Sequence, residues 1–191
     1  MPDRVELEGR SYSLAGVSGG PLFEPATAGL RPIMMSTACW RGYVATYRVV
    51  DGRLMLSELL VGSRSTGDGQ VVCPRAALLG QVPTRRKSLG AFLYKGLGHD
   101  VPFSGGLLLG DGFVPSLYRH MGFHPAWTFE TVIELLVRDG RVDAAHDRSV
   151  DAARVREQIQ EGAEEPDGRP AGAEWVEGTF SLDYRRTFGA P

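Results

Sequence analysis

The run Ser36-Thr37-Ala38-Cys39-Trp40-Arg41-Gly42-Tyr43 brings hydroxyl, thiol, indole, guanidinium and phenol groups together immediately before an apolar stretch. Loops at strand ends are where binding groups concentrate. In that setting Arg41 can hold an anion and Trp40 an apolar ring, while Cys39 becomes a nucleophile only if its neighbours depress its thiol pKa. The structural alternative puts Cys39 and Trp40 in the core and leaves Arg41 an ion-pair residue. A second cluster, Tyr118-Arg119-His120-Met121-Gly122-Phe123-His124-Pro125, offers two imidazoles as general bases. Gly122 and Pro125 interrupt the helix that a His-x-x-x-His metal pair requires, so we expect no metal and read the cluster as a turn buttressed by aromatic packing. Ser104, His120 and Asp100 make a hydrolase triad on paper only, without a G-x-S-x-G elbow to select them. Ser18-Gly19-Gly20 and Ser104-Gly105-Gly106 match neither phosphate-cradling glycine pattern.

The elements that must position these groups are hairpins. Asp-Gly between apolar runs favours a two-residue turn with positive φ. Around Asp51-Gly52, residues 43–50 and 53–60 then pair Val49 with Leu54, Tyr47 with Leu56 and Ala45 with Glu58. That register sets Glu58 on an apolar face, where a buried carboxylate has a raised pKa and suits a general acid, or else partners Arg41. A one-residue slip would move it to solvent. Asp139-Gly140 predicts a hairpin of 131–138 with 141–145, and Gly9-Arg10 a shorter one near the start. Residues 107–109 read as a strand closed by Gly110-Asp111-Gly112, and Pro115 opens a short helix through His120. Glycine and proline make 16–32 a loop and 63–88 an irregular excursion. Residues 149–160 form the best helix, a surface one, with Ser149 as N-cap and Asp151 in its first turn.

Composition sets the class. A chain of 191 residues suffices for one domain with a hydrophobic core. Its 21 basic and 23 acidic residues give a net charge of -2, no electrostatic footprint for nucleic acid or anionic lipid. The 25 glycines and 12 prolines argue for many turns and few long helices. No apolar stretch is long enough to span a bilayer, and the start does not read as an export leader. Cys39 and Cys73 lie in no C-x-x-C or zinc spacing, so we expect reduced thiols in a cytoplasm.

Two stretches, Ser36-Thr-Ala-Cys-Trp-Arg-Gly-Tyr-Val-Ala-Thr-Tyr-Arg-Val-Val-Asp-Gly-Arg-Leu-Met-Leu and Phe103-Ser-Gly-Gly-Leu with Leu117-Tyr-Arg-His-Met-Gly-Phe, resemble a family of small bacterial β-rich proteins with no settled activity. The resemblance implies a β-rich fold in which the Trp40–Tyr43 and His120–Phe123 elements either line one site or pack one core. A second resemblance is to GNAT-type N-acetyltransferases. There residues 58–61 stand for the splayed strand, Arg85-Arg86-Lys87-Ser88-Leu89-Gly90-Ala91 for the phosphate loop, and Leu117-Tyr118-Arg119-His120-Met121-Gly122-Phe123 for the Leu-Tyr-x-x-x-Gly-Phe turn. That resemblance implies a coenzyme A pyrophosphate on backbone N–H groups at a helix N-terminus, with Tyr118 as acid. Ser88 departs from its first glycine, and Gly96, Gly98, Pro102, Gly105 and Gly106 occupy the span of its long helix and following strand.

The expected fold is mainly β (α+β), an antiparallel hairpin-rich sheet or partly open barrel with one C-terminal surface helix. Residues 1–161 form the domain, 162–173 a flexible linker, and 174–191 a segment with a docking strand around Trp175, Val176, Phe180, Leu182 and Tyr184. The expected function is a non-enzymatic binding or interaction module of a bacterial cytoplasm, immunity-like or accessory, for a protein partner or a small ligand. Its recognition surface combines Trp40, Arg41, Tyr43 and Glu58 with Tyr118, His120 and Phe123. We expect no cofactor, nucleic acid or membrane; the alternative, an acyl-CoA-dependent N-acetyltransferase, takes acetyl-CoA.

Overall fold

A computed structural model describes residues 1–64, 72–74, 76–118, 122–161, 182 and 184. Three hairpins organise it. Glu8-Gly9, Asp51-Gly52 and Asp139-Gly140 each take positive φ at both positions (50° and 78°, 50° and 72°, 47° and 76°), the twist of a type I′ turn. They join β1 (Arg4–Leu7) to β2 (Arg10–Ser18), β3 (Tyr43–Val50) to β4 (Arg53–Gly62), and β8 (Phe129–Arg138) to β9 (Arg141–Asp147). Between the last two hairpins come β5 (Thr84–Arg86), β6 (Ala91–Asp100) and β7 (Gly105–Phe113).

The nine strands make one mixed sheet in the order β3-β1-β2-β7-β8-β9-β4-β6-β5, and β3 also pairs with β4, so the strands run in a ring. Among these nine strands every pairing is antiparallel except β1 with β3, where Val5 lies opposite Tyr47 in parallel register. β4 carries β6 along its second edge and meets β9 at Arg53 opposite Arg141. Inward-facing Val5, Leu14, Ala45, Tyr47, Leu54, Leu56, Leu107 and Leu135 fill the ring with one core. β5 ends the sheet, and its exposed Arg85 and Arg86 put charge on an edge strand.

The expected β3–β4 register holds only near the turn. Val49 faces Leu54 and Tyr47 faces Leu56, but a bulge between Thr46 and Tyr47 then sets Thr46 opposite Glu58 and Ala45 opposite Leu59. The extra residue gives Leu59 the apolar face expected for Glu58. Residues 91–100, which carry two glycines, form a full strand, and β7 continues through Gly110-Asp111-Gly112 to Phe113 instead of closing there. The loop after β2 begins only at Gly19 and holds a 3-10 turn at Pro25–Ala28, and Pro115 opens a 3-10 turn that stops at Leu117.

Helix α1 occupies Ser149–Gln160 as expected, but its cap differs. Arg148 stands at the N-cap, the Asp147 carboxylate accepts the Ser149 N–H at 2.8 Å, and the Ser149 hydroxyl oxygen accepts the Val132 N–H at 3.1 Å. The helix buries Ala152 against Trp127, Phe129 and Val132, a second apolar cluster outside the ring. Arg156 fastens it by donating to the carbonyls of Trp127 and Phe129 at 3.0 and 2.6 Å. Among the described residues no helix is long and apolar enough to cross a membrane.

The expected linker at 162–173 lies outside the described residues, as do Trp175, Val176 and Phe180. Leu182 and Tyr184 are described and dock on β2. Val17 donates its N–H to the Leu182 carbonyl at 2.6 Å and accepts the Tyr184 N–H at 3.1 Å. The Tyr184 hydroxyl donates to Glu134 at 3.3 Å, and Glu134 pairs with Arg148 at 2.8 Å.

Candidate functional site

The loop before β3 is folded around Cys39. Its carbonyl accepts the N–H groups of Met35 and Gly42 at 3.3 and 3.2 Å, and its thiol lies 3.4 Å from the Tyr43 carbonyl oxygen. Gly42 has φ of 73°, and a Cβ there would meet the Ile33 backbone at 2.5 Å, so the glycine between Arg41 and Tyr43 is demanded by the chain path. Cys39 is buried and Trp40 is thrown outward with 62% of its surface exposed. Of the two readings of this motif, the thiol belongs to the core and the indole does not.

Arg41 turns inward. Its Nη2 pairs with Asp3 Oδ1, its Nε donates to the Tyr43 carbonyl at 3.0 Å, and Asp3 Oδ1 also accepts the Ala45 N–H at 2.6 Å. The guanidinium carbon lies 4.6 Å from the Tyr43 ring centroid and 5.8 Å from that of Phe123. Both distances are within cation–π range. Burial pushes the Asp3 carboxyl above its ordinary value, and Arg41 and the Ala45 N–H pull it back. Burial also opposes the charge on Arg41, but Asp3 foremost among its neighbours outweighs it and raises the guanidinium pKa. The guanidinium is therefore a fixed positive charge, and Asp3 is its counter-ion.

These groups border a cavity of about 480 Å³ at one end of the ring. Leu14, Val17 and Tyr47 contribute from the strands, residues 19–23 and Leu182 from the segments laid across them, and Asp3, Arg41, Tyr43 and Phe123 complete the lining. The half-buried Tyr43 hydroxyl points to the Phe23 carbonyl at 3.4 Å, and burial raises its pKa. Tyr47 is 1% exposed, and burial, with Asp3 the foremost charge, drives its phenol well above the ordinary value, so its O–H stays protonated. No group among the described residues makes a hydrogen bond with that hydroxyl.

Three of the expected site residues, Arg41, Tyr43 and Phe123, thus meet at one cavity, and the two sequence motifs touch through Arg41 and Phe123. Trp40 stands outside the lining, beside Arg41 in the chain. Tyr118, 65% exposed, packs on His124 with ring centroids 5.5 Å apart and does not line the cavity. His120 lies outside the described residues. Glu58 is displaced altogether: the β-bulge turns it to the outer face, where it pairs with Lys95 at 3.0 Å and not with Arg41. Asp3 and Tyr47 were not among the expected site residues. Tyr47 was visible as a member of the apolar face, whereas Asp3 precedes the first strand with no periodicity to flag it.

Other constellations dissolve in the same way. Ser104 accepts the Asp139 N–H at 2.9 Å and Asp100 pairs with Arg53 at 3.1 Å, so each serves a turn or strand end. The run from Arg85 to Ala91 ends β5, makes a 3-10 turn at Lys87–Leu89 and enters β6. The helix N-terminus that the acetyltransferase resemblance implies at this point is a strand instead. Among the described residues no three His, Cys, Asp or Glu side chains gather to hold a metal ion. No family model matches the chain, and no curated protein or solved structure matches it.

Proposed function

We propose that the chain is a non-enzymatic binding module that takes a small, largely apolar ligand into the cavity behind Arg41. The observation that carries this reading is the cavity itself. Its volume of about 480 Å³ lies in the range of small-molecule sites, and its aliphatic and aromatic walls carry a few convergent polar groups. Asp3 and Arg41 are committed to each other, so the wall they form presents no net charge to a guest. Among the described residues Cys39 and Cys73 form no disulfide, in keeping with work in a reducing bacterial cytoplasm.

A protein partner, as for an immunity-like or accessory protein, is the second reading. It is favoured by the exposure of Trp40 and Tyr118. Exposed tryptophan, tyrosine and arginine are the residue types that dominate binding energy at protein interfaces. Saturation-transfer NMR with neutral bicyclic aromatic compounds separates the two. Ligand signals that vanish in Val17→Phe, which fills the cavity, and persist in Trp40→Ala support the small-ligand reading. No signal from any compound at millimolar concentration removes it and leaves the partner surface.

A further inference from the structure

The cavity's polar groups specify more than an apolar guest. Both hydrogen bonds to the Asp3 carboxylate from the described residues fall on Oδ1, which takes the Arg41 guanidinium and the Ala45 N–H. Asp3 lines the cavity, and its Oδ2 takes no hydrogen bond from the described residues. Tyr47 lines the same cavity, is almost wholly buried, and has a hydroxyl that meets no partner among the described residues. Asp3 holds the N–H of Ala45, which lies two residues before Tyr47 on the same inward face of β3, so acceptor and donor share one polar corner of an otherwise largely apolar space.

Charge narrows the guest further. The Asp3 carboxylate and the Arg41 guanidinium cancel, so an ion brought into the cavity would be desolvated with no counter-ion left for it. The aromatic rings of Phe23, Tyr43 and Phe123 on the lining favour a flat guest, which stacks offset or edge to face. Resting on the small-ligand reading above, we infer that the cavity selects an uncharged ligand with a flat apolar ring and an amide-type edge. Its N–H donates to Asp3 Oδ2 and its carbonyl accepts the Tyr47 O–H. A donor and an acceptor fixed side by side on a cavity wall discriminate, because an analogue lacking either group leaves its counterpart on the wall without the ligand's hydrogen bond.

The test uses the full chain at neutral pH and three probes with one ring system: 2-naphthamide, 2-acetonaphthone and 2-naphthoate, titrated by calorimetry. The amide is expected to bind roughly fivefold or more tighter than the ketone, which lacks the N–H, and the carboxylate weakest of the three. Tyr47→Phe is expected to lower amide affinity by roughly fivefold or more while the melting temperature is retained. Should that variant fail to fold, the amide-to-ketone ratio of the unsubstituted protein reads the same selectivity. Equal binding of amide and ketone, tightest binding by naphthoate, or an unchanged affinity in a folded Tyr47→Phe overturns the amide-edge inference but leaves a small-ligand cavity. If none of the three binds, both readings fall together.

Discussion

Arg41 serves the fold before it serves any ligand. Its partner Asp3 is almost wholly buried, and removing one member of such a pair leaves an uncompensated charge inside the protein. Arg41→Ala is therefore expected to cost about 3 kcal/mol at neutral pH in urea unfolding, with Arg41→Lys recovering part of it. The pH dependence of that loss has a definite sign. Burial already holds the folded Asp3 carboxyl above its ordinary value of 3.8, and without the guanidinium it rises further. The folded variant then binds a proton that the unfolded chain releases, so its stability increases as the pH falls from 7 towards 4, and the gap to the unsubstituted protein narrows. A gap that widens on acidification contradicts this account. Trp40 is the contrasting neighbour. Its indole is mostly in water, so Trp40→Ala is expected to change stability by less than about 0.5 kcal/mol, which makes it the clean probe of partner binding.

Helix α1 shows how an element is fastened from outside its own span. The Ser149 hydroxyl and N–H hold the Asp147 carboxyl below its ordinary value of 3.8. A lowered folded pKa contributes stability that is present above the unfolded value and lost as pH falls through the folded one. Because the carboxylate is exposed and screened by solvent, Asp147→Ala is expected to cost no more than about 0.5 kcal/mol at pH 7 and progressively less below pH 4, followed by urea unfolding across that range. A cost independent of pH would mean that the carboxylate does not cap the helix. The helix itself was legible because its polar-apolar spacing is local, and so were the Asp-Gly hairpins, whose turn residues favour positive φ; the first hairpin was expected about Gly9-Arg10 but turns one residue earlier, at Glu8-Gly9. The β-bulges were not legible. Nothing in Ser57-Glu58-Leu59 marks one residue as extra, yet that residue decides whether Glu58 or Leu59 enters the core. In β6, Gly96 and Gly98 take φ of 67° and 56° across the β4–β6 register shift between Leu56 and Glu58. The glycines that told against a long helix in this span thus let one long strand absorb an irregularity. Asp3 and Tyr47 escaped for a different reason, since the parallel pairing of β1 with β3 that brings them together has no local sequence signal.

For the whole molecule, the decisive feature is how the ring's strand edges are satisfied. β1 ends its pairing with β2 at Arg4 opposite Ser13, while β7 pairs with β2 as far as Ser18. The other edge of β2 past Ser13 must find partners elsewhere. The Asp3 carbonyl accepts the Leu14 N–H at 2.9 Å, and Leu182 and Tyr184 take up both backbone groups of Val17. The same two residues reach outward from that edge in both directions. Leu182 lines the cavity, and Tyr184 donates to Glu134, the carboxylate that holds Arg148 ahead of helix α1. A chain ending at Glu161 is therefore expected to lose two backbone hydrogen bonds, the packing of Leu182 and one contact to a buried carboxylate, together about 2–4 kcal/mol. Its urea midpoint should fall accordingly, with an unfolding slope little changed if the ring itself survives. Because Leu182 forms part of the cavity wall, 2-naphthamide should also bind the shortened chain more weakly than the full one. An unchanged midpoint and an unchanged affinity would mean that the ring and its cavity stand complete without the C-terminal segment, whereas a lower midpoint with undiminished affinity would confine its role to the strand edge.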